Sequence, residues 1–485
     1  MLNKFIFFLS RYHAPLIAVL VAFVGHLLLI KLSSVNFEFA FVDASAYFKT
    51  LNPTLIHQFF FYQANTLGLS YLAHIISLIF PGVEFLILIR LINLVGLILL
   101  SVGVINICHF LNKKSFTLIT VLLIFNPLIW TYVGRATADF LPMALGVFSI
   151  SLALGPKQFS LKSFFSGLLF GLSCLLKYHT IVLLIFLLPL MYDKFPLRFI
   201  IRKILFILMI ITPMLAYYLI AIKSNFDFWI TPPRFLDRHR VEFNFSNLLN
   251  NFILYSGFLS LSVLPTTFFS KEFLYSIKKY WKSFLAILLI SVFLGTTFFI
   301  DLGELNFGPL DVYLDEKFRI FILSVLVLVP LVLLMIADKN KNFRSRLGLS
   351  VLIVLILLSS TRPAQRYLLF VIPFFIFFIP ENILKSRTVI LSTFFLFFLI
   401  NSFIELSRFS SGSAAEKMVD KLVRDGILQQ TIPGVIEGHV GNKFFEAKDF
   451  RKYYIVASRS NLRTIFSVTS GASFFKKTFY LEKIE

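Results

Sequence analysis

Apolar stretches separated by short polar links repeat along most of the chain. The first, at 14–31, follows Lys4 and Arg11 and leads into "LSSVNFEF". It is long for a signal-peptide core and no small-x-small cleavage site follows, so it predicts an uncleaved first helix with a cytoplasmic N-terminus. Later runs predict helices at 84–111, through "LLIFNPLIW", and from 138 onward. The stretch 164–192 reads as a tight pair of short spans with "KYHT" between them. Further runs continue to a last exit near Glu405. At roughly 20 residues per crossing, the pattern predicts about 13 transmembrane helices.

Two regions depart from that rhythm. The link 33–83 contains "LNPTLIHQFFFYQ" and "TLGLSYLAHIISLIFPG", amphipathic stretches broken at Pro53 and Gly68, which predict surface helices in a first outer loop. The tail 406–485 opens with the helical "AAEKMVDKLVRDGI" and continues with "YYIVASRS", "TIFSVTS" and "KTFYLEKI", which read as short strands. The expected fold is an all-α polytopic membrane domain, 1–405, followed by a small extracytoplasmic α/β segment, 406–485.

Composition agrees with the pattern. Hydrophobic residues make up 58% of 485 and charged residues 15%, with a mean hydropathy of +0.85, whereas soluble domains carry about 25% charge. The net charge of +21 comes from Lys and Arg gathered in alternate links, such as "NKK", "DKNKNFRSR" and "ENILKSR". That distribution follows the positive-inside rule, and no nucleic-acid module accompanies it. Cys108 and Cys174 lie inside apolar runs, which excludes a disulfide framework or a metal site built on them.

Placing the basic links in the cytoplasm puts four unusual groups at the outer face: Asp43, Arg135 with Asp139, Lys177-Tyr178-His179, and Arg362 with Arg366-Tyr367. Charges within spans are costly and tend to line cavities or pair with one another. Each group also has a plainer local reading. Asp43 can cap "ASAYF", Arg135 and Asp139 can form an i,i+4 pair, Lys177 can snorkel, and Arg366-Tyr367 can anchor at the interface. Taken together, acids that accept a hydroxyl proton or hold a divalent metal, and cations that receive a phosphate, suit sugar transfer from a polyprenyl phosphate. Arg offers bidentate phosphate capture and Lys a point charge.

The ordered series "FVDASAYF", "LGLSYLAHIISLIFPG", "RLINLVGLILL", "NP…GRATADF", "GLLFGLSCLLKYH" and "RPAQRYLLFVIPFF" resembles the polytopic GT-C glycosyltransferases. The similar branch includes the lipid A aminoarabinose transferase, Rgt-type lipopolysaccharide glycosyltransferases and relatives of protein O-mannosyltransferases. Ala44 stands where many members have a second acid, and "LLKYH" replaces the commoner "LTKG". The resemblance implies a plasma-membrane enzyme with its active site facing outward. Asp43 and Asp139 would be the catalytic acids. Lys177, Arg362 and Arg366 would bind the donor phosphate, with Tyr47, Arg135, Tyr178, His179 and Tyr367 in support. It implies a polyprenyl-phosphate-linked sugar as donor and a glycan, lipid or protein as acceptor, with no cofactor required and a divalent metal left open. Two alternatives stand beside it: a transporter or flippase of lipid-linked sugars, and an O-antigen polymerase or ligase, which the arginines of "PPRFLDRHR" would suit.

Overall fold

Apolar runs become helices because a backbone in lipid must satisfy its own hydrogen bonds. The structure is a computed structural model that describes residues 2–32, 69, 72–73, 75–83, 85–135, 137–157, 159–226, 245–263, 271–297, 314–330, 341–360, 364–379, 387–424, 437–439, 442–444, 453–456, 463–470 and 477–483. Helices α1 Leu2–Leu32, α2 Phe85–Phe110, α3 Phe116–Ile124, α4 Pro127–Val133, α5 Phe140–Ala153 and α6 Leu161–Leu176 come first. A 3-10 helix, Tyr178–Phe186, then leads into α7 Leu187–Tyr192 and α8 Leu197–Phe226. Next are α9 Phe245–Leu261, α10 Lys271–Lys279, α11 Trp281–Thr297, α12 Glu316–Leu326 and α13 Lys341–Ser359. The following segment changes pitch twice, with 3-10 turns at Gln365–Phe370 and Ile376–Phe378 flanking α14 Ile372–Phe375, before the long α15 Arg387–Arg424.

Among the described residues, Ile87–Phe110, Leu197–Ala216 and Thr388–Ser410 are long and apolar enough to cross a bilayer. Counting each bent pair, Phe116–Val133 and Phe273–Thr297, as one span brings the number to 5. Other apolar runs form shorter helices, Tyr178–Tyr192 among them. Helix α8 is apolar on both faces. Ile200, Ile207 and Ile211 are buried, while Ile201, Leu205 and Met209 recur every fourth residue on the exposed side. A helix apolar all round has no stable place facing water and belongs in lipid or a core.

The break between α3 and α4 bends the chain by 59°. Pro127 causes it by removing a backbone donor, and Asn126 caps the new helix, its side chain accepting from the Leu128 N–H at 3.1 Å. The Phe125 carbonyl at the bend accepts from Asn401 Nδ2 on α15 at 3.0 Å. A neighbouring side chain thus satisfies a carbonyl that the break leaves without a helical donor. Elsewhere helices meet through small residues. A Cβ added at Gly103 of α2 would lie 3.0 Å from Phe148 Cα of α5, and one at Gly171 of α6 would lie 2.4 Å from Met214 Sδ of α8.

Contacts at the helix ends sort the links into two sets. Lys194 Nζ donates to the Phe110 carbonyl, the Phe110 and Phe195 rings stack at 6.2 Å, and Arg346 pairs with Asp193. Lys203 Nζ donates to the carbonyls of Gly155 at 3.0 Å and Lys157 at 2.8 Å. These links therefore share one, basic end of the bundle, as their alternation in the sequence requires.

Helix α15 runs without a break through Glu405. Beyond it, β1 Glu437–His439, β2 Asn442–Phe444, β3 Tyr453–Val456, β4 Arg463–Ser470 and β5 Lys477–Lys483 form an antiparallel sheet in the order β1-β2-β3-β5-β4. Strands β4 and β5 lie against α15.

The approach of α2 to α5 leaves no room at Gly103, because the atoms facing it are backbone. Gly103→Val is expected to lower stability by about 1–3 kcal/mol, read as a fall in the thermal midpoint of the detergent-purified protein. Gly155→Ala, where the nearest atom is 3.9 Å away, should leave that midpoint within about 0.5 kcal/mol of wild type.

Candidate functional site: a buried carboxylate among cations

Asn93 shapes the link that carries the acid. Buried on α2, it donates from Nδ2 to the carbonyls of Arg135 at 2.7 Å and Thr137 at 3.2 Å. Its Oδ1 accepts from the Leu141 N–H at 3.3 Å, in the first turn of α5. One amide therefore satisfies three backbone groups between α4 and α5, groups that would be costly to bury unpaired. Asp139 occupies the N-cap position of α5 but makes no capping hydrogen bond. Its carboxylate is engaged elsewhere.

That engagement is an ion pair with Lys177. Asp139 is 0% exposed and Lys177 5%. Lys177 terminates α6 in an extended conformation (φ −157°, ψ 113°), and the chain restarts in 3-10 geometry. The Thr180 hydroxyl donates to the Lys177 carbonyl at 2.7 Å and stabilises the change of pitch. Arg366 enters from a third segment, at the start of the 3-10 turn Gln365–Phe370. That turn is fixed by the Ala364 N–H, which donates to the Tyr255 hydroxyl of α9 at 3.0 Å.

Aromatic rings bind these segments together. The His179 ring stacks on Tyr178 at 4.1 Å and on Tyr367 at 5.0 Å. Lys177 Nζ lies 5.8 Å and Arg366 Cζ 5.5 Å from the centre of the Tyr367 ring, within cation–π range. Arg135 turns instead toward Tyr132, 5.0 Å from the ring centre. The helical Arg135–Asp139 pair suggested by their spacing does not form, because α4 ends at Val133 and the two residues share no helix.

The Lys177 ammonium and the Arg366 guanidinium both act on the Asp139 carboxylate, and its second oxygen, Oδ2, makes no hydrogen bond of ordinary geometry. A divalent metal does not fit here, since one carboxylate already faces two cations. Among the described residues no three His, Cys, Asp or Glu side chains gather as a metal site.

The opposite side of the link is held by α15. Arg408 Nη2 donates to the Gly134 carbonyl at 3.1 Å, while its Nη1 bonds both Glu405 oxygens at 3.0 and 3.1 Å. The His26 ring of α1 packs on Trp130 at 4.1 Å. Arg90, 2% exposed, stands one turn before Asn93.

Of the residues singled out from sequence, Asp139, Lys177, Tyr178, His179, Arg366 and Tyr367 come together, with Arg135 on the same link but turned away. Asp43, Tyr47 and Arg362 lie outside the described residues. Sequence reasoning missed Asn93, Arg90 and Arg408. The available signal was two polar residues three apart in the otherwise apolar "RLINLVG", a spacing that puts both on one helix face. No family model, curated protein or solved structure matches this chain.

One outcome follows from the geometry. Asn93→Leu strands two carbonyls and one N–H in the interior, and is expected to cost about 2 kcal/mol or more, measured as thermal stability in detergent.

Proposed function

We propose that this protein is a membrane glycosyltransferase that moves a sugar from a polyprenyl-phosphate carrier to a glycan, lipid or protein acceptor at the outer face of the plasma membrane. The observation that carries the reading is the convergence of Asp139, Lys177 and Arg366 from three distant segments, away from the basic links. In the full topology of about 13 spans, that end faces outward and the basic end faces the cytoplasm.

The reaction joins the acceptor oxygen to the anomeric carbon and breaks the bond from that carbon to the phosphate oxygen. The carrier leaves as a phosphate monoester with one more negative charge, and the hydroxyl proton passes to a base. Lys177 and Arg366 are suited to the growing phosphate charge, which a low-dielectric site makes valuable. Asp139 takes a different role from that of base. A carboxylate already paired with one cation and facing a second is a poor proton acceptor, so it orients those cations, and Asp43 is left as the carboxylate base that takes the proton. Tyr367 and His179 brace Lys177 and Arg366 from the side.

Transfer from a radiolabelled polyprenyl-phosphate sugar into membrane acceptors tests the reading. Arg366→Met should reduce turnover by about 100-fold or more, and Arg366→Lys should restore only part of it because the fork geometry is lost. Asp43→Asn should abolish transfer at matched expression. Undiminished transfer by Arg366→Met would remove the phosphate assignment. Absence of transfer by wild type with every carrier sugar, together with movement of those lipids across vesicle bilayers, would favour a flippase.

A further inference from the structure

Helices α10 and α11 meet at 90°, so when α11 crosses a bilayer, α10 lies along its surface. Packing shows which surface. Gly295, near the end of α11, sits against Ser324 and Ile320 of α12. Ile320 clusters with Leu254 of α9, and the next residue, Tyr255, holds the backbone at Ala364 beside Arg366. The end of α11 is therefore level with the cation cluster. Trp281 lies at its other end, roughly 21 Å away at 1.5 Å per residue, which puts α10 at the basic end of the bundle.

The faces of α10 are divided in an unusual way. Phe273 and Ser276 are buried, 4% and 6% exposed, and Tyr280 after them is half-buried. Leu274, Tyr275 and Ile277 are 52%, 66% and 37% exposed, and Lys278 and Lys279 are exposed beside them. At the corner Trp281 is 54% exposed next to exposed Lys282. Lys279 Nζ lies 5.1 Å from the Tyr280 ring centre and Lys282 Nζ 5.9 Å from that of Trp281. Within 271–282 Glu272 is the one acid among four lysines. Exposed apolar and aromatic side chains mixed with lysines are unfavourable in water, but they match a helix seated at the headgroup boundary.

We infer that α10 and the α10–α11 corner form a docking surface for anionic phospholipid headgroups in the leaflet at the basic end. Leu274, Tyr275, Ile277 and Trp281 enter the acyl boundary, and Lys278, Lys279 and Lys282 meet the phosphates. Attraction of clustered lysines to an anionic leaflet supplies the charge complementarity. The inference rests on the membrane crossing alone and is independent of the proposed sugar chemistry.

The test is thermal unfolding of the full chain in nanodiscs of phosphatidylcholine, or of phosphatidylcholine with one quarter phosphatidylglycerol. Anionic lipid should raise the wild-type midpoint by several degrees. Lys278→Gln/Lys279→Gln/Lys282→Gln should lose at least half of that increment, while Lys113→Gln/Lys114→Gln, a control at another basic link, should keep it. If the triple glutamine variant is also weaker in pure phosphatidylcholine, the increment is still read as a difference, and the triple arginine variant should restore it. Free glycerol phosphate added to phosphatidylcholine discs should give no increment, since the ligand is the lipid surface. A full increment in the triple glutamine variant, none in wild type, or an equal effect of free glycerol phosphate would each overturn the inference.

Discussion

An ion pair shut away from water sets the terms for the rest of the molecule. Transferring a carboxylate and an ammonium into a low-dielectric interior carries a penalty of several kcal/mol per ion, repaid only by close pairing and further favourable charge. Asp139 and Lys177 meet the first condition directly, and Arg366 supplies the second. The pair also joins two parts of the chain that have just lost helical continuity: the entry to α5 and the exit from α6. The first end is held from a distant helix and the second by a residue three positions on. Asn93 fixes one through the backbone of the 135–141 segment, and Thr180 fixes the other through the Lys177 carbonyl.

The same rule, that buried polar groups must find partners, explains a recurring use of asparagine. Asn93 serves the link before α5, and Asn126 donates to the Ser262 carbonyl just beyond α9 at 3.1 Å. Asn251 reaches the Ser359 carbonyl at the end of α13 at 3.0 Å, and Asn401 reaches Phe125 at the α3–α4 bend. Each amide crosses from one helix to a place where another stops or bends. Breaks that would be intolerable in lipid are thereby made available for placing chemistry. Lys177 stands where α6 gives way to 3-10 pitch and Arg366 lies within the 3-10 turn Gln365–Phe370, and the segments that follow them pack together, with Phe186 and Phe374 stacked at 4.1 Å.

Much of the helical plan was legible because apolar length is a coarse, cumulative signal. The run at 84–111 became α2, and "KYHT" marked the turn between α6 and the helix after it. Charges set among apolar residues drew attention to Asp139, Lys177 and Arg366 for the reason that makes them expensive. Their pairing was not legible. The spacing of Arg135 and Asp139 suggests a shared helix face, yet Pro127 starts a short helix that ends at Val133, so a helical period does not reach Asp139. Asn93 escaped notice because a single Arg–Asn pair three apart is a faint signal within a long apolar helix, and Arg408 because it lies about 270 residues from the carbonyl it holds. The elbow at Tyr280 was not legible, since nine residues of mixed charge and apolarity show no span-length pattern.

The most direct test of the central claim is a double-mutant cycle on the pair, with Asp139→Asn, Lys177→Met and both together, followed by thermal unfolding in one detergent. Removing either partner alone leaves a buried charge uncompensated and should cost about 3–5 kcal/mol. The double variant should lose less than the sum of the two single losses, with a coupling of about 0.5–3 kcal/mol. If instead the two losses simply add, the charges are not holding one another, and the site is organised by something other than this pair.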